Sequence, residues 1–200
     1  MKIEPVTAKP GKEELAARLG KVRVLMEKEK LDYYVSFSPF NIYYMTNFAN
    51  NVHERPFILV IPRQGPMKMV CPLLESEHVR TKSRCDLDYI LYYEFPAPDG
   101  QNWYDVYRPL LKDSERIGIE SAMPAGIFKE TRGVTVLTNI IEDIRVIKSE
   151  YEIGRTVHAC QVVNVGMKKL LETTRPGVPL FSIFSGVTGD MMANVRGAGP

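Results

Sequence analysis

Histidine and cysteine are scarce in this chain, with three of each among 200 residues. His53, His78 and His158 form no His-x-x-x-His pair, and no His-Glu-x-x-His occurs. A hydrolytic metal centre needs three or more converging ligands and an open position, so none is expected within this chain. Cys71, Cys85 and Cys160 are odd in number and include no Cys-x-x-Cys. They read as reduced thiols, mostly small buried hydrophobes, which fits a cytoplasmic protein. No apolar run approaches the roughly 20 residues of a membrane span. The start, Met1 to Pro5, lacks the apolar core of a signal peptide, so no membrane partner is expected. The formal net charge is only +2 with both signs mixed along the chain, which gives no reason to expect a nucleic-acid partner. No Gly-x-Ser-x-Gly elbow, P-loop or dinucleotide fingerprint is present. Ser182, Ser185 and Cys160 therefore have no base placed by any motif, and no catalytic residue is assigned.

What is present is an alternation of helical and strand patterns. Leu15, Leu19, Val22 and Met26 predict an amphipathic helix over about 12–30, with Gly20 inside it held by packing. Strands are expected at 33–37, 57–61, 67–71, 87–93, 116–120 and 135–137. The second and third, joined by Arg63-Gln64-Gly65-Pro66, form a hairpin. Phe57 to Ile61 is apolar without alternation, as in a strand covered on both faces. Helices are expected at 74–83, around Trp103 to Leu110, and at 124–131. The pattern predicts a three-layer α/β domain over 1–145, whose mixed sheet follows from the hairpin.

The stretch 40–62 organises the rest. Ser38 and Pro39 start a short helix, with Ser38 as cap. Phe40, Tyr43, Tyr44 and Phe48 are spaced to pack that helix on the sheet. A polar loop, Asn50-Asn51-Val52-His53-Glu54-Arg55, then leads through Pro56 into the buried strand. Arg55 and His53 are the substrate-binding candidates. A planar guanidinium grips a carboxylate through two parallel hydrogen bonds, and an imidazole donates a further one or responds to pH. The alternative is that Arg55 pairs with Glu54 or caps the sheet edge while His53 is solvated.

The pattern changes near Ile144. Ser149 with Glu152 is a capping box opening a helix over about 149–173, which stops at Arg175-Pro176-Gly177. Cys160 is expected in that helix's core face, and a further helix over 181–194. Two apolar helix faces without a sheet behind them suggest that 146–200 opens a second, incomplete domain.

Four segments carry a family resemblance. They are Asn41-Ile42-Tyr43-Tyr44-Met45-Thr46-Asn47-Phe48, Arg55-Pro56 before the buried strand, Arg116-Ile117-Gly118-Ile119-Glu120, and Ile144-Arg145-Val146-Ile147-Lys148-Ser149-Glu150-Tyr151-Glu152-Ile153. In order and spacing the chain resembles the N-terminal part of the creatinase, prolidase and aminopeptidase P family. Two departures stand out: Asn47 replaces a glycine, and Val178-Pro179-Leu180 follows Gly177 where a glutamate is usual. The resemblance implies a creatinase-like N-terminal domain followed by the first helices of an incomplete α+β "pita-bread" catalytic domain. It implies an Xaa-Pro peptidase-like hydrolase using two divalent metals (manganese, cobalt or zinc), whose Asp, His and Glu ligands lie beyond this segment, so that the segment binds no cofactor and alone is inactive. A homodimer is implied, acting on a peptide or a small carboxylate. In the creatinase-like branch an arginine placed like Arg55 reaches the neighbouring subunit's active site. A creatinase-type carbon–nitrogen hydrolase, or a non-catalytic binding and dimerisation module, are the alternatives.

Overall fold

A computed structural model describes residues 3–51 and 54–195. The chain divides into two compact units, one of residues 10–146 and one joining residues 3–9 to 147–195.

The larger unit is built on a six-stranded sheet in the order β4-β3-β2-β1-β5-β6. The strands are β1 (Tyr33–Ser36), β2 (Ile58–Pro62), β3 (Met67–Pro72), β4 (Leu87–Tyr92), β5 (Arg116–Ile119) and β6 (Val134–Leu137). β2 is antiparallel to both β1 and β3, with Val35 opposite Val60 and Leu59 opposite Met69. The pairs β1–β5, β3–β4 and β5–β6 are parallel. The sheet is therefore mixed, and the hairpin is the cause, as its turn residues predict.

The helices of this unit are α1 (Lys12–Lys28), α2 (Pro39–Thr46), α3 (Ser76–Lys82), α4 (Trp103–Tyr107), α5 (Ala125–Glu130) and α6 (Ile140–Ile144). Strand side chains alternate between two separate cores, because successive Cβ atoms point to opposite faces. Tyr34, Leu59, Ile61, Met67, Met69 and Cys71 meet residues of α1, α2, α3 and α6. Val35, Ile58, Val60, Val70 and Ile119 meet Tyr107 and Ile127 of α4 and α5. Ile58 to Ile61 are all fully buried, as a strand covered on both faces requires. Gly118 faces the first core. A Cβ there would lie 2.6 Å from Leu31 Cδ1 and 2.8 Å from Tyr34 Cδ2, so the glycine makes room for two core side chains.

Three local expectations change. Ser38 sits at the start of α2 but its side chain makes no capping bond; its backbone N–H is drawn to Glu120 instead. Gly20 has open space around it, so no neighbour offsets its helix cost of about 1 kcal/mol. Cys160 is exposed, not core, because it lies on the side of its helix turned away from the buried Gly154, Val162 and Gly166.

Burial pushes the Cys71 and Cys85 thiols up to about 12 from an ordinary 9.0. Above pH 9 the unfolded chain loses these protons while the folded chain keeps them. Their contribution to stability is thus constant below that pH and falls as pH rises toward 12. At pH 8 we expect an aromatic disulfide reagent to modify Cys160 rapidly and the other two only as the protein unfolds. Three equally fast thiols would contradict this burial.

In the smaller unit, α7 (Glu150–Thr173) and α8 (Leu180–Val195) pack on each other. The capping box is present: Ser149 Oγ accepts from the Glu152 N–H and the Glu152 carboxylate accepts from the Ser149 N–H. Gly166 lets Met191 approach α7, and Gly154 lets Val6 do so. The first residues are tied along α7 by Arg155, which donates to Thr7 O, and Tyr151, which donates to Ala8 O. Met167, Leu171, Phe181 and Phe184 remain exposed.

Candidate functional site

The order of strands reverses between β1 and β5: from β1 the chain first adds β2, β3 and β4 on one side, then β5 and β6 on the other. In open α/β sheets the crevice outside the carboxyl ends at such a point is the usual ligand site. In this chain it is filled from within. Glu120, 2% exposed, accepts from Ser36 Oγ at 2.5 Å, Asn41 Nδ2 at 2.6 Å, and the backbone N–H groups of Phe37 and Ser38 at 3.0 and 2.9 Å. Asn41 Nδ2 also donates to Glu142 at 2.8 Å, while its Oδ1 accepts from Arg145 at 2.9 Å. Three of the four motif segments therefore contribute one member each (Asn41, Glu120 and Arg145) to a single buried polar cluster. Burial, with Glu120 and Glu142 nearby, pushes the Tyr34 hydroxyl far up, so it stays neutral and donates to Thr138 O. With its donors already supplied, Glu120 has a structural role. The cavity of about 460 Å³ beside it is otherwise lined mainly by apolar groups such as Met123, Phe128 and Leu137.

The open candidate is the 49–55 loop at the same end of the sheet. Its two ends are fixed. Before it, α2 closes on Asn47, whose φ of 67° is left-handed. Glycine suits that conformation best and asparagine is the usual substitute, which accounts for the departure at this position. Thr46 Oγ1 accepts from the Phe48 N–H, and Phe48 packs on Phe57 with ring centroids 5.2 Å apart. After the loop, the Tyr92 hydroxyl donates to Pro56 O at 3.1 Å.

Between these anchors Arg55 is half-buried, its Nε 3.3 Å from Glu54 Oε1; the Glu54 side chain is 68% exposed. Glu54 is thus largely in solvent, while most of the Arg55 side chain is covered and its Nε is buried. His53 lies outside the described residues. At the foot of the loop, Pro39, Phe40, Tyr43, Ala49, Asn50 and Asn51 surround a pocket of about 540 Å³. Tyr44 and Phe48 are core, as their spacing predicts, but Phe40 and Tyr43 are 74% and 46% exposed. Phe40 and Tyr43 lie on a face of α2 away from the core, Tyr44 lies on its buried face, and Phe48 follows just beyond the helix.

Among the described residues no group of three His, Cys, Asp or Glu side chains is arranged to hold a metal. These residues do not fit the two divalent ions that the resemblance implies. His78 pairs with Glu75 one turn away, and His158 is half-buried in α7. Sequence reading also missed Arg18. It is 6% exposed, stacks 4.1 Å from the Tyr44 ring centroid, donates to Tyr44 O and pairs with Glu14. Its signal was a charge on the buried stripe of α1 with a carboxylate four residues before it.

Residues 18–147 match the creatinase/prolidase N-terminal domain family, and the chain belongs to that family. An uncharacterized peptidase of Staphylococcus aureus is 29% identical over 145 residues, covering 68% of this chain and 39% of that protein. The prolidase of Pyrococcus horikoshii superposes with a TM-score of 0.71 at 21% identity, covering 89% of this chain and 49% of that one. The creatinase/prolidase N-terminal domain of an X-Pro dipeptidase from Streptococcus pyogenes superposes at 0.55 with 17% identity, covering 66% of this chain and 98% of that one. The chain thus spans about half or less of the longer proteins it matches, and no helix among the described residues is long and apolar enough to cross a membrane.

Proposed function

We propose that this chain is the N-terminal part of a metal-dependent Xaa-Pro peptidase-like hydrolase. Residues 1–145 serve dimerisation and substrate gating, and 146–200 begin the catalytic domain. The observation that carries the reading is the family match across 18–147, and the placement of Arg55 before the second strand, at the carboxyl end of β1 and β5, supports it. In this reading Arg55 holds the substrate's terminal carboxylate and His53 adds a second donor. Both act on an active site supplied by the neighbouring subunit of a homodimer. Orientation by a bidentate guanidinium fixes which peptide bond is presented, which is how a residue remote from bond cleavage governs rate. The divalent metals, manganese, cobalt or zinc, would supply a nucleophilic water from ligands outside this chain. The enzyme would work in the cytoplasm.

The test is hydrolysis of Xaa-Pro dipeptides by the full-length protein with each of the three metals. Metal-dependent cleavage that stops at Xaa-Pro bonds is expected. Cleavage of creatine-like carbon–nitrogen bonds instead, or no hydrolysis with any metal, would overturn the peptidase reading.

A further inference from the structure

We infer that residues 3–9 form a releasable strap that clamps the start of α7, a device that does not depend on the peptidase reading above. Both partners lie outside residues 18–147, the part that matches the family. The first residues of a chain are usually poorly ordered unless something ties them down. Residues 3–9 form neither helix nor strand, yet they make one compact unit with 147–195. The tie is a notch made by a missing side chain. Gly154 is buried in the first half of α7, and a Cβ there would lie 2.5 Å from Val6 Cγ2 and 3.1 Å from Glu4 O. Only glycine lets another segment come so near.

A second observation is independent of the notch. Tyr151, Gly154 and Arg155 are spaced three and four residues apart, so they share one face of the helix. All three hold strap backbone. The Val6 N–H donates to Gly154 O at 3.0 Å, Arg155 Nη1 donates to Thr7 O at 2.6 Å, and the Tyr151 hydroxyl donates to Ala8 O at 3.1 Å. Recognition is therefore of an extended backbone, with one small branched side chain at the notch. A charged side chain there would lose water with nothing to offset it. The grip is also slight. Ile3 and Val6 are only half-buried, and Glu4, Pro5, Thr7 and Ala8 are exposed. Contacts this few barely outweigh the entropy of ordering the segment, so it opens locally before the unit as a whole unfolds. Closed, the strap fixes the first turns of α7 from 148 residues away in sequence. Open, it frees them and uncovers the notch.

Two experiments on the full-length protein test the strap. The first measures release, as the rate at which thermolysin cuts within residues 3–9 of the wild type, Gly154→Ala and Arg155→Ala. The alanine methyl at 154 expels Val6, so cutting should be about tenfold faster than in the wild type. The helix itself should stay folded by circular dichroism, because alanine favours a helix more than glycine does. Arg155→Ala removes one donor and should speed cutting by a smaller factor. Equal cutting in all three proteins would overturn the strap. The second experiment measures docking, by pairing Val6→Cys with Gly154→Cys after the exposed native thiol is removed by Cys160→Ser. The two Cβ atoms would lie 3.2 Å apart, close to the spacing of about 3.8 Å in natural disulfides. Under mild oxidation a disulfide within one chain is expected, formed about tenfold faster than with Thr7→Cys in place of Val6→Cys. No disulfide, equal rates for the two pairs, or a disulfide joining two copies would overturn the strap.

Discussion

Replacing Glu120 by Ala is expected to lower the unfolding free energy by about 3–5 kcal/mol, as much as emptying a core position does. The carboxylate accepts from Ser36 Oγ, Asn41 Nδ2 and two consecutive backbone N–H groups. Alanine leaves these donors facing a space from which water is excluded, and leaves Asn41 with fewer partners between Glu142 and Arg145. The backbone donors belong to the turn that connects β1 to α2, so the loss reaches the base of the candidate loop. Glu120→Gln keeps one acceptor but aims an NH₂ group at neighbouring donors, and should cost less than alanine but more than a surface change. Urea unfolding of this chain followed by circular dichroism measures both. A loss under about 1 kcal/mol for Glu120→Ala would mean that the cluster does not hold the sheet's two halves together.

The second large effect is on activity. Arg55→Ala in the full-length enzyme is expected to lower kcat/KM for an Xaa-Pro dipeptide by one to two decades. A charge-assisted bond to a carboxylate contributes about 1.5–3 kcal/mol, and every 1.4 kcal/mol is about tenfold. In this role the activity falls further than any change in melting temperature accounts for, although most of the Arg55 side chain is covered. Arg55→Lys should recover only part of the loss, since an ammonium keeps the charge without the planar two-point grip. An arginine whose role is to hold the loop in place would give the opposite pattern, with melting temperature and activity falling together.

Much of the architecture was legible in the residues. The unbroken apolar run Ile58–Ile61 announces a strand, the four-residue turn after it and the return through Met67–Cys71 announce a hairpin, and Ser149 with Glu152 marks a helix start. These signals are local, set by neighbours within a few positions. The polar cluster was not legible, because its members lie far apart in sequence: Asn41 meets Glu120 across 79 residues and Arg145 across 104. The segments around them were recognisable as a family pattern, yet the pattern alone did not show that its polar residues are structural. Ser38 illustrates the gap, since its sequence reads as a cap and its backbone instead serves a carboxylate from a distant strand end. The candidate site was half legible. A loop bearing His53, Glu54 and Arg55 stands out by composition, whereas the solvent-facing side of Phe40 and Tyr43 depends on which face of an eight-residue helix meets the sheet. Aromatic spacing does not decide that.

If the 50–55 loop, through Arg55, holds the carboxylate of a peptide being cleaved, the loss on removing Arg55 must depend on that carboxylate. Pairing the Arg55→Ala variant with two substrates, an Xaa-Pro dipeptide and the same dipeptide as its carboxamide, isolates this dependence. A loss of about 10- to 100-fold is expected on the acid and about none on the amide, because the amide lacks the group that Arg55 grips. Equal losses on acid and amide would mean that Arg55 does not hold the carboxylate.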